Sequence, residues 1–217
     1  MEPLDRVGLR VLGSLIEKEL ATPDNYPLTR KALTAACNQT SNRDPVMELD
    51  ETAVQRSLDD LAGRGFARGV HRGDARVMRY REEVREKLHL HQPELAILSV
   101  LLLRGPQTVG EIKARTSRLF DFIDLSHVEI TLDALATLST PLVTGLPRRP
   151  GQKEIRWTHL LAGPPADEAP GGTEILRPAR GAAPGDRVEA LEQEVATLRE
   201  EMAELRAQLD AFRREFE

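Results

Sequence analysis

The sequence predicts a mainly helical α+β protein made of two similar halves, a linker and a C-terminal helix. Three observations predict this architecture: an order of three helices and a hairpin that occurs twice, a segment rich in Pro and Gly, and a heptad pattern near the end. Hydrophobic residues make up 40% of the chain but aromatic residues only 4%, so aliphatic side chains must build the core. Such a composition suits small helical domains.

The first half begins with a helix whose apolar residues recur at helical spacing and which ends near Leu20. Thr29 is placed to cap a second helix that reaches Cys37, and Asp50 is placed to cap a third. Glycines end that third helix. Two extended runs then predict a β-hairpin, over residues 66–72 and 76–81. Three helices and a hairpin in this order are typical of a winged helix-turn-helix domain.

The same order follows in the second half, which begins with an apolar helix over residues 93–104. Two capping boxes open its next two helices, one at Thr108 and the other at Ser126. Extended runs of alternating polarity then predict a second hairpin, over residues 142–146 and 154–159. The two halves share this architecture rather than their residues.

These patterns divide the chain into four parts. Residues 1–88 and 89–162 are the two predicted winged-helix domains. Residues 163–185 contain ten Pro or Gly, which leaves them without a core and predicts a flexible linker. Residues 186–217 carry the heptad pattern of a coiled coil.

The heptad pattern is the sharpest signal in the sequence, because its apolar positions alternate strictly between spacings of three and four residues. In a parallel, in-register pair three of the four flanking couples have opposite charges and the fourth is neutral against positive, whereas an antiparallel pair sets like charges together. We therefore predict a parallel homodimer. Met202 and Phe216 are large for core position a, which leaves a trimer open. The predicted dimerisation residues are Val188, Leu191, Val195, Leu198, Met202, Leu205, Leu209, Phe212 and Phe216.

The net charge of −5 is unevenly distributed along the chain. Residues 1–162 carry 23 basic and 22 acidic side chains, whereas residues 163–217 carry 7 basic and 13 acidic ones. The predicted domains are therefore almost neutral. Any binding of nucleic acid must rely on a local basic patch rather than on the overall charge.

The sequence carries no sign of membrane insertion, export or catalysis. Its longest apolar run, residues 95–103, is too short to span a bilayer, and the N-terminus lacks the pattern of a signal peptide. The single cysteine, Cys37, fits a reducing compartment, so we expect a soluble cytoplasmic protein. No zinc spacing, phosphate-binding loop or nucleophile motif is visible, and we therefore expect a protein that is not an enzyme and uses no metal or cofactor.

Three segments of the chain, residues 22–28, 37–46 and 101–108, resemble the YceH family of bacterial proteins. The similarity extends over residues 4–162, and the Asn-Arg-Asp-Pro sequence in the second segment is a specific match. The resemblance implies tandem winged-helix domains. It implies no particular activity, ligand or catalytic residue.

The first hairpin is the strongest candidate for a functional site because it concentrates positive charge. Such hairpins often lie along a phosphate backbone, where guanidinium groups bind phosphate oxygens. An alternative of equal weight is that these arginines pair with Asp59, Asp60 and Glu82 nearby. The predicted nucleic-acid-binding residues are Arg64, Arg68, Arg72, Arg76, Arg79 and Arg81. A weaker copy in the second hairpin consists of Arg148, Arg149, Lys153 and Arg156.

The third helices argue against ordinary reading of DNA bases, since this helix enters the major groove and needs hydrogen-bond donors. The first of them has four carboxylates against Arg56. The second has Glu129 and Asp133 but no Lys or Arg. The loop that precedes the third helix of the first half is also about twelve residues long, whereas the turn of a DNA-reading helix-turn-helix has three or four residues.

That long loop is a second candidate site, a recognition surface formed by Asn38, Asn42, Arg43 and Asp44. We favour a structural alternative, in which Asn and Asp side chains hydrogen-bond to their own backbone and Arg43 holds the loop to the domain.

Two functions are consistent with these patterns. The first is a dimeric DNA-binding regulator that uses the arginine hairpins on phosphates. The second is a protein-interaction adaptor whose winged helices bind a partner protein without touching DNA. The near-neutral domains and acidic third helices favour the adaptor. The first hairpin is the largest local charge excess in the chain, so the sequence favours the DNA-binding regulator slightly.

Overall fold

The computed structural model describes residues 2–71, 77–148 and 154–165. Within them the protein is a mostly helical α+β structure, with seven α-helices and two small antiparallel sheets. The predicted coiled coil and all of the predicted linker beyond residue 165 lie outside the described residues. No helix of the described part has both the length and the apolar character that a membrane crossing requires.

The helices and strands follow one another in the order that the sequence predicts, with three short additions: a 3-10 turn at Pro23–Asn25, a strand at Leu28–Thr29 and a helix at Val84–Leu88. The helices are α1 (Arg6–Ala21), α2 (Arg30–Cys37), α3 (Glu51–Gly63), α4 (Val84–Leu88), α5 (Gln92–Arg104), α6 (Val109–Thr116) and α7 (Leu125–Ala136). The strands are β1 (Leu28–Thr29), β2 (Ala67–Val70), β3 (Arg79–Glu82), β4 (Val143–Gly145) and β5 (Trp157–His159).

Three of the four predicted helix caps are confirmed. The side chains of Thr29, Asp50 and Thr108 each accept a hydrogen bond from the backbone N–H three residues on. The capping box predicted at Ser126 is wrong, because α7 already begins at Leu125, before the residue that was expected to cap it. Asp124 caps it and accepts from the His127 N–H at 2.8 Å.

Both sheets are built around a hairpin, and each gains a short extra segment that lies before a helix. In the first sheet β3 pairs with β2 and also with β1, a strand the sequence did not predict. In the second, β5 pairs with β4, and Trp157 also forms an isolated bridge with Gln107. Each extra segment directly precedes the cap of a helix, since Thr29 caps α2 and Thr108 caps α6.

The hydrophobic core runs without a break from the first half into the second. One cluster of buried side chains extends from Leu4 to Leu161, and its largest helix–helix contact joins α1 to α5. Gly13 permits this contact. A Cβ built there would stand 3.0 Å from atoms of Leu102 and Leu103 on α5. The two helices therefore approach more closely than a side chain at this position would allow.

We expect Gly13→Ala to lower the free energy of unfolding, because overpacking a buried helix contact costs about 1–3 kcal/mol and exceeds the gain in helix propensity. The matched control is Gly110→Ala on α6, where a Cβ would meet no atom within 4 Å. That change should leave stability unchanged or raise it by up to about 1 kcal/mol. Urea denaturation of both variants measures the difference, and equal stability would contradict the close approach.

Candidate functional site

The arginines of the first hairpin are largely engaged by acidic side chains. Arg64 Nε lies 2.8 Å from a carboxylate oxygen of Asp60. Arg68 and Arg81 face each other across the β2–β3 pair, and the Glu83 carboxylate lies 3.5 Å from the first and 2.7 Å from the second. These contacts neutralise charge that the sequence assigned to phosphate binding, although such exposed ion pairs are individually weak.

Arg79 has a structural partner instead, since its Nη1 donates to the carbonyl oxygen of Pro27 at 2.8 Å. Arg68 is the most accessible of the described hairpin arginines that contact a carboxylate, with 65% of its side chain exposed. Arg72 and Arg76 lie outside the described residues. The hairpin therefore offers Arg68 to a ligand far more readily than the other described arginines.

The second hairpin is similar. Arg156 Nη1 lies 3.0 Å from a carboxylate oxygen of Glu111 and donates to the carbonyl of Pro106 at 2.9 Å. Arg148 is exposed, and Arg149 and Lys153 fall outside the described residues.

Glu82, expected to pair with the hairpin arginines, instead points to the base of α4. Its carboxylate accepts from the Arg85 N–H at 3.0 Å, and the residue is buried. Burial, together with a hydrogen bond shared with Glu19, raises the pKa of Glu82 to about 7. The carboxylates of Asp60 and Glu83, in contrast, do pair with arginines of this region.

The long loop of residues 38–50 is closed by its first residue. The Asn38 side chain donates to the Leu49 carbonyl and accepts from the Leu49 N–H, both at 2.8 Å. This pair of bonds imitates a step of β-ladder across the ends of the loop. Asp44 is exposed, while its backbone N–H donates to the Leu103 carbonyl at 2.9 Å and ties the loop to α5.

Arg43 is buried under this loop and holds it to α1, as the structural alternative predicted. Its side chain is 0% exposed, and its guanidinium meets both carboxylate oxygens of Glu17, at 3.0 and 2.6 Å. It also donates to the Ala36 carbonyl at 2.8 Å. Burial alone raises the pKa of Glu17, but the hydrogen bonds and charge of Arg43 outweigh it, so the pKa lies below its ordinary value.

Arg10 is a second buried arginine at this loop, and the sequence reading missed it. Its Nη1 donates to the Cys37 carbonyl at 3.0 Å and its Nη2 to the Pro45 carbonyl at 2.6 Å. Its position was the available signal, because Arg10 lies seven residues, or about two helical turns, before Glu17 on the face of α1 that also carries Ser14. Charged residues inside an otherwise buried face need internal partners.

Asn42 lies at the tip of the loop with φ of 58°, a left-handed conformation that asparagine tolerates well. Its Oδ1 accepts from Arg104 Nη1 at 2.8 Å. The loop thus touches α5 through a side chain as well as through Asp44.

The exposed face of α7 combines apolar and acidic residues. Ile130 is 67% exposed and Leu125 is 50% exposed, and Ile123 just before the helix is 84% exposed. Glu129 and Asp133 are exposed on the same helix, which carries no Lys or Arg. The two carboxylates repel phosphates, and the three exposed apolar side chains all lie within residues 123–130.

Among the described residues, no group of three His, Cys, Asp or Glu side chains is placed to hold a metal ion. The fold and these surfaces define a mostly helical α+β protein whose long loop is held from inside by buried arginines.

Comparison with other proteins identifies the family. Residues 4–152 match the family described as "Protein of unknown function, DUF480". A UPF0502 protein of Geobacter metallireducens is 52% identical over 219 aligned residues, which cover 99% of this chain and 98% of that protein. Corresponding proteins of Geobacter sulfurreducens and Solibacter usitatus are 53% and 46% identical, each over 99% of this chain and 98% of their own length. The chain belongs to this bacterial DUF480 (UPF0502) family, which confirms the resemblance to YceH proteins.

We expect Arg43→Ala to lower the free energy of unfolding by about 3–5 kcal/mol, because it leaves the buried Glu17 carboxylate without its partner. The matched control is Arg30→Ala, which breaks an ion pair with Glu51 in which both side chains are about half exposed, and which should cost under about 0.5 kcal/mol. Chemical denaturation near neutral pH compares the two.

The pH dependence gives a second readout of the same pair. Since folding lowers the pKa of Glu17, the pair stabilises the protein above the unfolded pKa and loses this contribution as the pH falls through the folded pKa. The difference in stability between wild type and Arg43→Ala should therefore shrink in acid. A constant difference would show that the arginine acts through packing alone.

Proposed function

We propose that this chain is a tandem winged-helix adaptor that binds a partner protein through the exposed face of α7 and acts by binding rather than catalysis. The observation that carries the proposal is the concentration of Ile123, Leu125 and Ile130 beside Glu129 and Asp133.

The order of elements supports the winged-helix assignment in both halves. α1, β1, α2, α3 and the β2–β3 hairpin follow one another in the first half. α5, the bridging Gln107, α6, α7 and the β4–β5 hairpin follow in the second. A short extended segment between the first and second helices, pairing with the last strand, is what a winged helix adds to a plain helix-turn-helix.

The position of α7 within this order matters, because α7 is the third helix of its half. In a DNA-binding domain that helix carries the residues that read the major groove. Here it presents isoleucine, leucine and carboxylates, which suit a protein surface and oppose a phosphate backbone.

The chemistry of the face indicates the kind of partner. Exposed apolar side chains interspersed with two carboxylates on one helix suit an amphipathic helix that carries leucine-type side chains with Lys or Arg beside them. Buried apolar contacts would supply affinity, and the charges would set orientation and association rate.

DNA binding through the first hairpin is the second candidate, and the exposure of Arg68 favours it. Arg72 and Arg76 add two further cations on sequence grounds. The nearby Glu83 and Asp60 limit the charge available, so this candidate predicts weak binding that depends steeply on salt.

We expect Ile130→Ser to weaken binding of the partner by at least about tenfold, since it removes a central apolar contact. The matched control is Val46→Ser, which changes a similarly exposed residue, 51% exposed, on the long loop. Quantitative affinity purification with wild type and both variants identifies proteins lost only with Ile130→Ser. Each must then bind the purified chain directly, with the same ranking of affinities.

DNA binding, the competing function, is measured by the fluorescence anisotropy of a labelled duplex of about 30 base pairs at low and physiological salt. Two results together would favour the DNA-binding regulator over the adaptor. The duplex affinity would fall when Arg68→Ala, Arg72→Ala and Arg76→Ala are combined, and the proteins recovered by affinity purification would be the same with Ile130→Ser as with wild type. Arg79 is kept in this test because it supports β1 through Pro27.

We further propose that the chain is a parallel homodimer joined by residues 186–217, as the heptad pattern predicts. Sedimentation equilibrium of the full chain at micromolar concentration should give twice the 24.2 kDa of one chain, and deletion of residues 186–217 should give a monomer. An unchanged mass after deletion would place the dimer contact elsewhere, and three copies would mean that Met202 and Phe216 favour a trimer.

A further inference from the structure

A cavity of about 320 Å³ lies where the long loop meets both halves of the fold. Its walls come from α1, the 38–50 loop, α5 and α6 with the residues just after it. This volume lies at the small end of the range for metabolite sites. The cavity is separate from the α7 face and from the first hairpin, and neither proposed function uses it.

Positive charge dominates the lining. Among the described residues that line the cavity, the basic ones are Lys18, Arg104, Arg115 and Arg118, and the acidic one is Glu17. The Glu17 carboxylate is held by Arg43 and also lies 3.3 Å from Lys18 Nζ, so its negative charge is shared by these two cations. Arg115 has only a distant contact of 3.7 Å with Glu111, and Arg118 has no carboxylate within 4 Å among the described residues.

Arg104 lies among these basic residues, in surroundings that disfavour its positive charge. Burial, and then the neighbouring charge of Arg115, lower its pKa below the ordinary value, which means that its surroundings oppose its charge. Its Nε is buried without a hydrogen-bond partner in the described part of the chain, while its Nη1 is oriented by Asn42. A guanidinium that is fixed, partly desolvated and close to like charge is poised for an anion.

A neutral donor completes the site. Ser99 on α5 lines the cavity and is 0% exposed, yet its hydroxyl has no partner within the described residues. Buried hydroxyls almost always have one. The loop adds Gln39, Ser41 and Asn42, and Val100 with Leu103 forms an apolar patch on the same wall.

From this arrangement we infer that the cavity binds a small metabolite carrying a phosphate group, with the phosphate between Arg104, Arg115 and Arg118 and the organic part toward Ser99 and Val100. Guanidinium forks match phosphate oxygens in pairs, and the hydroxyl and amide groups supply neutral donors to the rest of the ligand. The size of the cavity excludes a nucleic-acid duplex.

The test is isothermal titration of the full chain at constant ionic strength, with inorganic phosphate in one arm and glycerol phosphate in the other. One site per chain is expected, with a dissociation constant that rises at least about tenfold in the double variant R115Q/R118Q. The charge-matched control is R6Q/R56Q, which removes two exposed arginines elsewhere and should leave affinity unchanged. Tighter binding of the ester is expected, since its organic part would contact Ser99 and Val100. Equal binding of the two probes would overturn the organic part of the inference.

Ser99→Ala provides a second measurement that leaves the net charge intact. It should weaken the ester severalfold if the hydroxyl contacts the ligand. No saturable binding of either probe at millimolar concentration, or equal binding by wild type and R115Q/R118Q, would overturn the inference. Ile130→Ser should bind both probes normally, so the result is independent of the proposed adaptor function.

Discussion

The contact between α1 and α5 is the constraint on which the rest of the structure depends. It joins the two halves into one core, and it requires Gly13 because Leu102 and Leu103 occupy the space that a side chain would need. With α1 fixed this close to α5, the loop that follows α2 is brought against the end of α5. The backbone bond from Asp44 to Leu103 and the side-chain bond from Asn42 to Arg104 both follow from that proximity.

Buried charge stabilises the conformation of this long loop. A connection of residues 38–50 without regular structure has many polar backbone groups to satisfy. Arg10 and Arg43 satisfy several of them from below, since each donates to loop or α2 carbonyls. Placing two guanidiniums in the interior is unfavourable unless an acid accompanies them, and Glu17 on α1 provides it.

The sequence predicted the elements well where local chemistry decides them. Caps at Thr29, Asp50 and Thr108 are local signals, and all three appear in the structure. The sequence did not predict β1, whose formation depends on a residue contact distant in the chain. This strand forms because β3 lies beside it, and two residues carry no strand signal of their own. At Ser126 a second cap was available two residues earlier, and Asp124 took the role.

Charge at the candidate site shows the same division between local and distant information. A count of side chains within the predicted hairpin gives a strong positive charge. The acids that neutralise this charge lie just outside the counted residues. Asp60 reaches it from α3, and Glu83 follows β3 directly. In the cavity the reverse holds, because Lys18, Arg104 and Arg115 are far apart in sequence and no local count reveals their convergence. Residues 1–162 are nearly neutral in total, yet four of their basic side chains line one cavity at the junction of the two halves. An anion bound there would contact α1, α5 and α6 at once and would stabilise their present arrangement over any other.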